Sequence, residues 1–262
     1  MAKITGGASK RGREVRILLL GQCLNYGYEG VAPEAAFPQV AAAMLKSQFP
    51  QLRFRIDLKY LYYPTGLKPL LAHRLPLTKP DLAVINLPAL FAATRWRVDT
   101  IYEIAPELVD TARTFMRRVE ARVRGRGSSS PAAATLLDSA FAWRPPISLA
   151  EYERLIEEAI GHSRRLSSCR FVLMGPGRFN EDTLEKYEVH QPELWSSVNR
   201  MVMGLAERLD AGFINTQEAL GEYGGEVFNP NNHKFSPFGH QVVAREVANA
   251  VAAEVAAMSN GK

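Results

Sequence analysis

Two short segments carry the residues best suited to chemistry. Gly21-Gln22-Cys23-Leu24-Asn25-Tyr26-Gly27 places a thiol just after a short, mostly apolar run, Val15 to Leu20. A thiolate is a strong nucleophile, and a nearby base or cation activates a cysteine in such a place. The competing reading is a buried cysteine that packs as a small hydrophobe. The second segment is Asn229-Pro230-Asn231-Asn232-His233-Lys234-Phe235-Ser236-Pro237-Phe238-Gly239-His240. This polar cluster, with histidines at 233 and 240, precedes an amphipathic C-terminal stretch and offers a catalytic base. Helix capping explains part of it, since Ser236 is a good N-cap and Pro237 a good first helical residue. Capping does not explain the Asn231-Asn232-His233-Lys234 run. A third loop, Gly175-Pro176-Gly177-Arg178-Phe179-Asn180, offers Arg178 as a partner for a substrate carboxylate or phosphate, or else is a simple glycine turn.

Other chemistries lack their signatures. The chain has no G-x-x-x-x-G-K-[ST], no G-x-G-x-x-G, no H-E-x-x-H and no G-x-S-x-G, which removes the main support for kinase, nicotinamide-dehydrogenase, zincin and standard α/β-hydrolase readings. Cys23 and Cys169 are the only cysteines, too few for a disulfide scaffold or a thiolate zinc site. The 262 residues are 47% hydrophobic and 23% charged, ordinary globular usage. A net charge of +5 is too weak to imply nucleic-acid binding. Arg113 to Arg126 holds six arginines but no interleaved aromatic or base-reading pattern, so a solvated face is expected there and no specific nucleic-acid partner. The longest apolar run, Ala83 to Ala93, is interrupted by Asn86 and Pro88 and is about half of what a bilayer requires. The basic first sixteen residues contain no apolar stretch long enough for a signal sequence, so the expected location is the cytoplasm.

The elements that must position these residues follow from periodicity. Residues 1–13 read as a basic, disordered arm. Val15 to Leu20 reads as a buried strand, Ala35 to Phe49 as a helix with Pro38 in its first turn, and Phe54 to Tyr62 as an alternating strand. A short helix over Leu67 to Leu77 and a buried strand over Leu82 to Leu87 come next. The spacing predicts a helix over 100–124 and a flexible linker over 125–134. Ser148-Leu149-Ala150-Glu151 is a capping box that opens a helix to about Leu166. A strand over Arg170 to Met174, a helix over Pro192 to Leu209, a strand over Gly212 to Asn215 and a last helix from Ser236-Pro237 to about Met258 complete the chain. Strands alternating with helices predict a three-layer α/β/α sandwich, flavodoxin-like, with about five parallel strands. The expected organisation is a single domain over 14–258 with an insertion at about 118–147. In such sheets the ligand crevice lies beyond the C-terminal ends of the strands, where the loops named above fall.

In this order and context the chain resembles the SGNH hydrolases, or GDSL-type esterases, from Val15 to about Val255. Family members begin with an apolar strand ending in Gly-Asp-Ser; here the strand ends in Gly21-Gln22-Cys23. A glycine ahead of a helix, then Pro-Asp and an apolar strand, correspond to Thr65-Gly66 and Pro80-Asp81-Leu82-Ala83-Val84-Ile85. The Gly-x-Asn-Asp that usually closes the third strand is replaced by Leu87-Pro88-Ala89-Leu90-Phe91. The Ser236-Pro237-Phe238-Gly239-His240 block matches the family's last helix start closely. The Asp-x-x-His ahead of it falls on Asn231 and Lys234, with His233 one residue early.

The resemblance implies an ester or acyl hydrolase acting on a small ester, with no metal or organic cofactor. It places Cys23 where the family's serine attacks. His233 or Lys234 stands for the base and Asn231 for the group that orients it. The Cys23 and Gly66 N–H groups would hold the oxyanion. Leu90 occupies the place of the oxyanion asparagine, with Asn86 four residues earlier on the same strand. The alternative is a catalytically inactive member that keeps the crevice and binds an acyl, glycan or peptide ligand, or a protein partner.

Overall fold

The structure, a computed structural model, describes residues 13–22, 25, 31–61, 63–93, 96–99, 141–144, 147–177, 193–229 and 235–260. The first half of the chain forms β1 (Glu14–Gly21), α1 (Phe37–Gln48), β2 (Arg53–Tyr60), α2 (Leu67–Thr78), β3 (Leu82–Asn86) and the short α3 (Leu90–Ala93). Next come β4 (Trp96–Asp99), β5 (Phe141–Arg144), α4 (Leu149–Leu166) and β6 (Arg170–Met174). The chain closes with α5 (Glu193–Arg208), β7 (Gly212–Ile214), α6 (Thr216–Gly221) and α7 (Pro237–Asn260).

Five strands form one sheet in the order β2-β1-β3-β6-β7, and every neighbouring pair is parallel. The register at its centre pairs Leu19 with Val84 and Val84 with Val172. The alternation of side chains along β1 splits the core into two layers. Leu18 and Leu20 face a cluster with Leu67, Leu71, Ile156 and Val202, contributed by α2, α4 and α5. Ile17 and Leu19 face a second cluster with Phe37, Leu45, Val243 and Val251, from α1 and α7. All five residues of β3 are buried, as expected of a parallel strand covered by helices on both faces. This is the three-layer sandwich expected from the sequence.

Local chemistry sets the helix faces and ends. The Ser148 hydroxyl accepts from the Glu151 N–H at 3.1 Å, which caps α4 as the sequence motif predicts. Tyr152, Ile156, Ala159, Ile160 and Ser163 form the buried stripe of α4 at helical spacing. Lys79, at φ 45°, ends α2 in the left-handed conformation.

Two observations differ from the sequence reading in detail. β2 lies at a sheet edge, so only its Phe54, Ile56 and Leu58 face packs on the core, and the strand ends at Tyr60. A separate antiparallel ribbon, β4 with β5, pairs Trp96 with Arg144 and Asp99 with Phe141. These short strands bracket residues 100–140 and gave no usable periodicity. The helix expected over 100–124, the linker over 125–134 and the arm at 1–12 lie outside the described residues, as does most of the insertion expected at 118–147.

Candidate functional site

The crevice expected beyond the C-terminal ends of the strands begins where the sheet's hydrogen bonding runs out. One bond continues past each of β2, β3 and β6. Leu61 N–H donates to the Gly21 carbonyl at 2.7 Å, Leu87 N–H to Met174 at 3.0 Å and Gly175 N–H to Ile214 at 3.0 Å. Polar residues at or just past the strand ends include Gln22, Asn25, Asn86, Asn215 and Thr216, four of them uncharged carboxamides.

At the end of β1, Asn25 N–H donates to the Gln22 carbonyl at 3.0 Å and closes a single turn. The Asn25 carboxamide is wholly buried and packs on Gly21, where a Cβ would stand 2.4 Å from Asn25 Nδ2. Asn86 Nδ2 donates to Asn25 Oδ1 at 3.5 Å, a long bond between the ends of β1 and β3. The Gln22 side chain is also buried, and among the described residues neither Gln22 Nε2 nor Asn25 Nδ2 has a hydrogen-bond partner. A buried donor left in that state costs about 1–3 kcal/mol.

A second amide network lies across β6 and β7. Asn199 Nδ2, from α5, donates to Asn215 Oδ1 at 3.0 Å. Asn215 Nδ2 donates to Glu218 Oε2 at 2.6 Å, and its Oδ1 accepts the Glu218 N–H at 3.3 Å, capping α6. Asn199 Oδ1 lies against Gly175, and both it and the buried Thr216 hydroxyl lack partners among the described residues.

Aromatic packing holds the two loops flanking the crevice. Phe91 meets Tyr63 edge to face at 5.6 Å and Tyr152 at 5.7 Å. The Tyr152 hydroxyl donates to the Pro88 carbonyl at 3.2 Å, and burial holds its pKa well above the ordinary phenol value. Tyr63 leads into the turn Pro64–Gly66. The Gly66 N–H donates to the Tyr63 carbonyl at 3.0 Å, so it already has an acceptor.

His240 has a packing role. Its Nδ1 accepts the Phe37 N–H at 3.1 Å, which leaves the ring proton on Nε2. The ring stacks on Phe37 and meets Phe235 edge-on at 5.6 Å. Burial pushes its pKa down to about 4. Of the two histidines in the C-terminal segment, this one belongs to the helix interface.

Of the residues singled out from sequence, Asn86 and Gly66 lie at the ends of β3 and of the loop after β2, on the expected side of the sheet. Cys23, Arg178, Asn231, His233 and Lys234 lie outside the described residues. The sequence reading passed over Gln22 and Asn25. Their signal was a carboxamide on each side of the candidate thiol, right after an apolar strand. Among the described residues, no three His, Cys, Asp or Glu side chains come together as a metal site. No described helix is long and apolar enough to cross a membrane.

No protein-family profile matches the sequence, and no curated protein sequence does. Solved structures do match the fold. A lipase/acylhydrolase from Enterococcus faecalis superposes with a TM-score of 0.58 at 15% identity, over 90% of this chain and 94% of that one. An acetylxylan esterase from Geobacillus stearothermophilus gives a TM-score of 0.58 at 17% identity, over 92% and 96%. The protein TesA gives 0.55 at 11% identity, over 91% and 99%. Variants of the Geobacillus esterase described as catalytic replace a serine, an aspartate and a histidine three positions after the aspartate. At these identities the likeness establishes the fold, which is that of the SGNH hydrolases.

Proposed function

We propose that this chain is an SGNH-fold hydrolase of small esters in which Cys23 replaces the usual serine nucleophile. The supporting observation is the fold itself. Solved structures that match this fold include two proteins named as lipase/acylhydrolase and acetylxylan esterase, each aligned over nine-tenths or more of both chains. Cys23 follows β1 by two residues in the sequence, and architectures of this kind bind ligands beyond the C-terminal ends of their strands. In this reading the Cys23 thiolate adds to the ester carbonyl, the alcohol leaves with a proton from the base, and water releases the acyl group from sulfur. Asn231 and Lys234 keep the three-residue spacing of the esterase's aspartate and histidine. Lys234 is then the base in register, and His233 takes that role if the loop shifts by one residue. Asn231 orients the base, Asn86 and Gly66 line the oxyanion side, and Arg178 contacts the substrate. Residues 14–258 form one domain in this reading, with an insertion at about 118–147.

A second reading has its own support. The Gly66 N–H is already bonded to Tyr63, and Leu90 stands where the resemblance expects an amide donor. A site lacking one oxyanion donor loses roughly a hundred- to a thousandfold in rate. The same crevice would then bind an acyl or glycan ligand, or a protein partner, without turnover.

Hydrolysis of p-nitrophenyl acetate and butyrate separates the two. The hydrolase reading expects turnover that Cys23→Ala abolishes and Cys23→Ser retains in part. Cys169 provides an internal control, since burial, then Asp81, pushes its thiol up to about 12 and keeps it protonated at neutral pH. Turnover unchanged in Cys23→Ala, or none in the parent protein, rejects the thiol mechanism on these esters.

A further inference from the structure

The turn after β1 holds two buried amide donors with no acceptor among the described residues. Gln22 is 8% exposed and Asn25 fully buried, and neither Gln22 Nε2 nor Asn25 Nδ2 has a partner among the described residues. Buried N–H groups in folded proteins are almost always paired. Two such donors share a single hydrogen-bonded turn at the ligand end of the sheet, where they are placed to bind an acceptor. We propose that the carboxamides of Gln22 and Asn25 donate hydrogen bonds to the carbonyl or carboxylate oxygen of a bound acyl group, forming the acceptor-binding element of this site.

The surrounding geometry supports this assignment. The Asn25 N–H to Gln22 carbonyl bond fixes the turn at 3.0 Å, and Asn86 reaches Asn25 Oδ1 from β3. The Asn25 amide group is therefore braced from two sides while its own N–H bonds go unused. Neutral amide donors suit an ester carbonyl on which charge develops, or a single carboxylate. A phosphate dianion calls instead for guanidinium or ammonium groups. The two amides also stand in for what the chain lacks elsewhere. Leu90 brings no amide, and the Gly66 N–H is already bonded to Tyr63.

The effect on rate rests on the hydrolase reading; the binding of an acceptor does not. Gln22→Met keeps the length of the side chain and removes the donor. Asn25→Asp keeps the oxygen that Asn86 reaches and removes the amide. Each variant is compared with the parent by melting temperature, by the shift in that temperature on adding sodium butyrate, and by kcat and KM on p-nitrophenyl butyrate. Gln22→Met is expected to melt higher than the parent, because a buried unpaired donor is gone. It is also expected to lose the butyrate shift and about a hundredfold in kcat, with KM little changed. A merely structural Gln22 would not raise stability while lowering kcat. Asn25→Asp serves as the second probe and is expected to lose the butyrate shift and kcat in the same way. A parent protein that turns over nothing but is stabilised by butyrate, with that shift lost in Gln22→Met, fails the hydrolase reading and upholds the acceptor site. The proposal is overturned if butyrate does not stabilise the parent, or if both variants keep the parent's butyrate shift and kcat.

Discussion

Gly21 has no room for a side chain. A Cβ there would stand 2.4 Å from Asn25 Nδ2 and 2.8 Å from Oδ1, and its φ is not in the left-handed region, so space alone dictates the glycine. The two residues act as one unit: the strand ends in glycine so that the carboxamide can lie flat on it and meet Asn86. Gly21→Ala is expected to destabilise the fold by about 1–3 kcal/mol, since the buried Asn25 must move and give up its contact. Asn25→Ala removes the obstruction. The Gly21→Ala, Asn25→Ala double variant should therefore be more stable than the sum of the two single losses, read by urea denaturation as a double-mutant cycle. Simple additivity would mean that the carboxamide swings clear at no cost. Gly66 differs in kind. Nothing lies within 4 Å of a Cβ built there, so alanine fits without strain and keeps the same N–H.

At the scale of the element, the Ser236-Pro237-Phe238-Gly239-His240 block shows how a short motif docks a whole helix. The Ser236 hydroxyl donates to the Glu226 carbonyl at 2.7 Å and accepts the Gly239 N–H at 3.1 Å, tying the first turn of α7 to the segment before it. Ser236 N–H donates to the Val227 carbonyl at 2.9 Å. A Cβ on Gly239 would stand 2.1 Å from that same carbonyl oxygen, a backbone atom that cannot swing aside. Gly239→Ala is thus expected to lose about 2 kcal/mol or more, seen as a lower melting temperature, whereas a wild-type value would mean that α7 slides freely on residues 224–227. The best-preserved stretch of family-like sequence is in this way explained by packing. The same contrast governs what the sequence made legible. The five sheet strands, the α4 cap and the apolar faces of α4 and α5 were readable because period and capping are local properties of consecutive residues. The buried amides were not. Asn25 and Asn86 are sixty-one positions apart and meet only because β1 and β3 are neighbours in the sheet. The four-residue strands β4 and β5 were missed because each gains its pairing from the other across more than forty residues.

At the scale of the molecule, the helical layer of α1 and α7 is pinned by one imidazole. The first N–H groups of a helix have no partner within it, and the N–H of Phe37, the first residue of α1, finds one in His240 Nδ1 from the first turn of α7. Only the neutral ring can accept this bond. Protonation would set a donor against a donor and place a charge among Phe37 and Phe235. Burial accordingly lowers the pKa from 6.5 to about 4 in the folded protein. Between these values the unfolded chain binds the proton and the folded one does not. Stability therefore rises with pH through this window, is fully present above about 6.5, and is lost progressively as pH falls to about 4. The difference corresponds to about 3 kcal/mol. His240→Gln keeps an acceptor but does not titrate, and the carboxylates that also protonate on acidification are common to both proteins. Urea denaturation at pH 7, 5.5 and 4.5 should show the parent protein losing more stability than His240→Gln at each step. Parallel losses would mean that the ring is charged or free to leave its pocket, and that the docking of α1 on α7 depends on apolar packing alone.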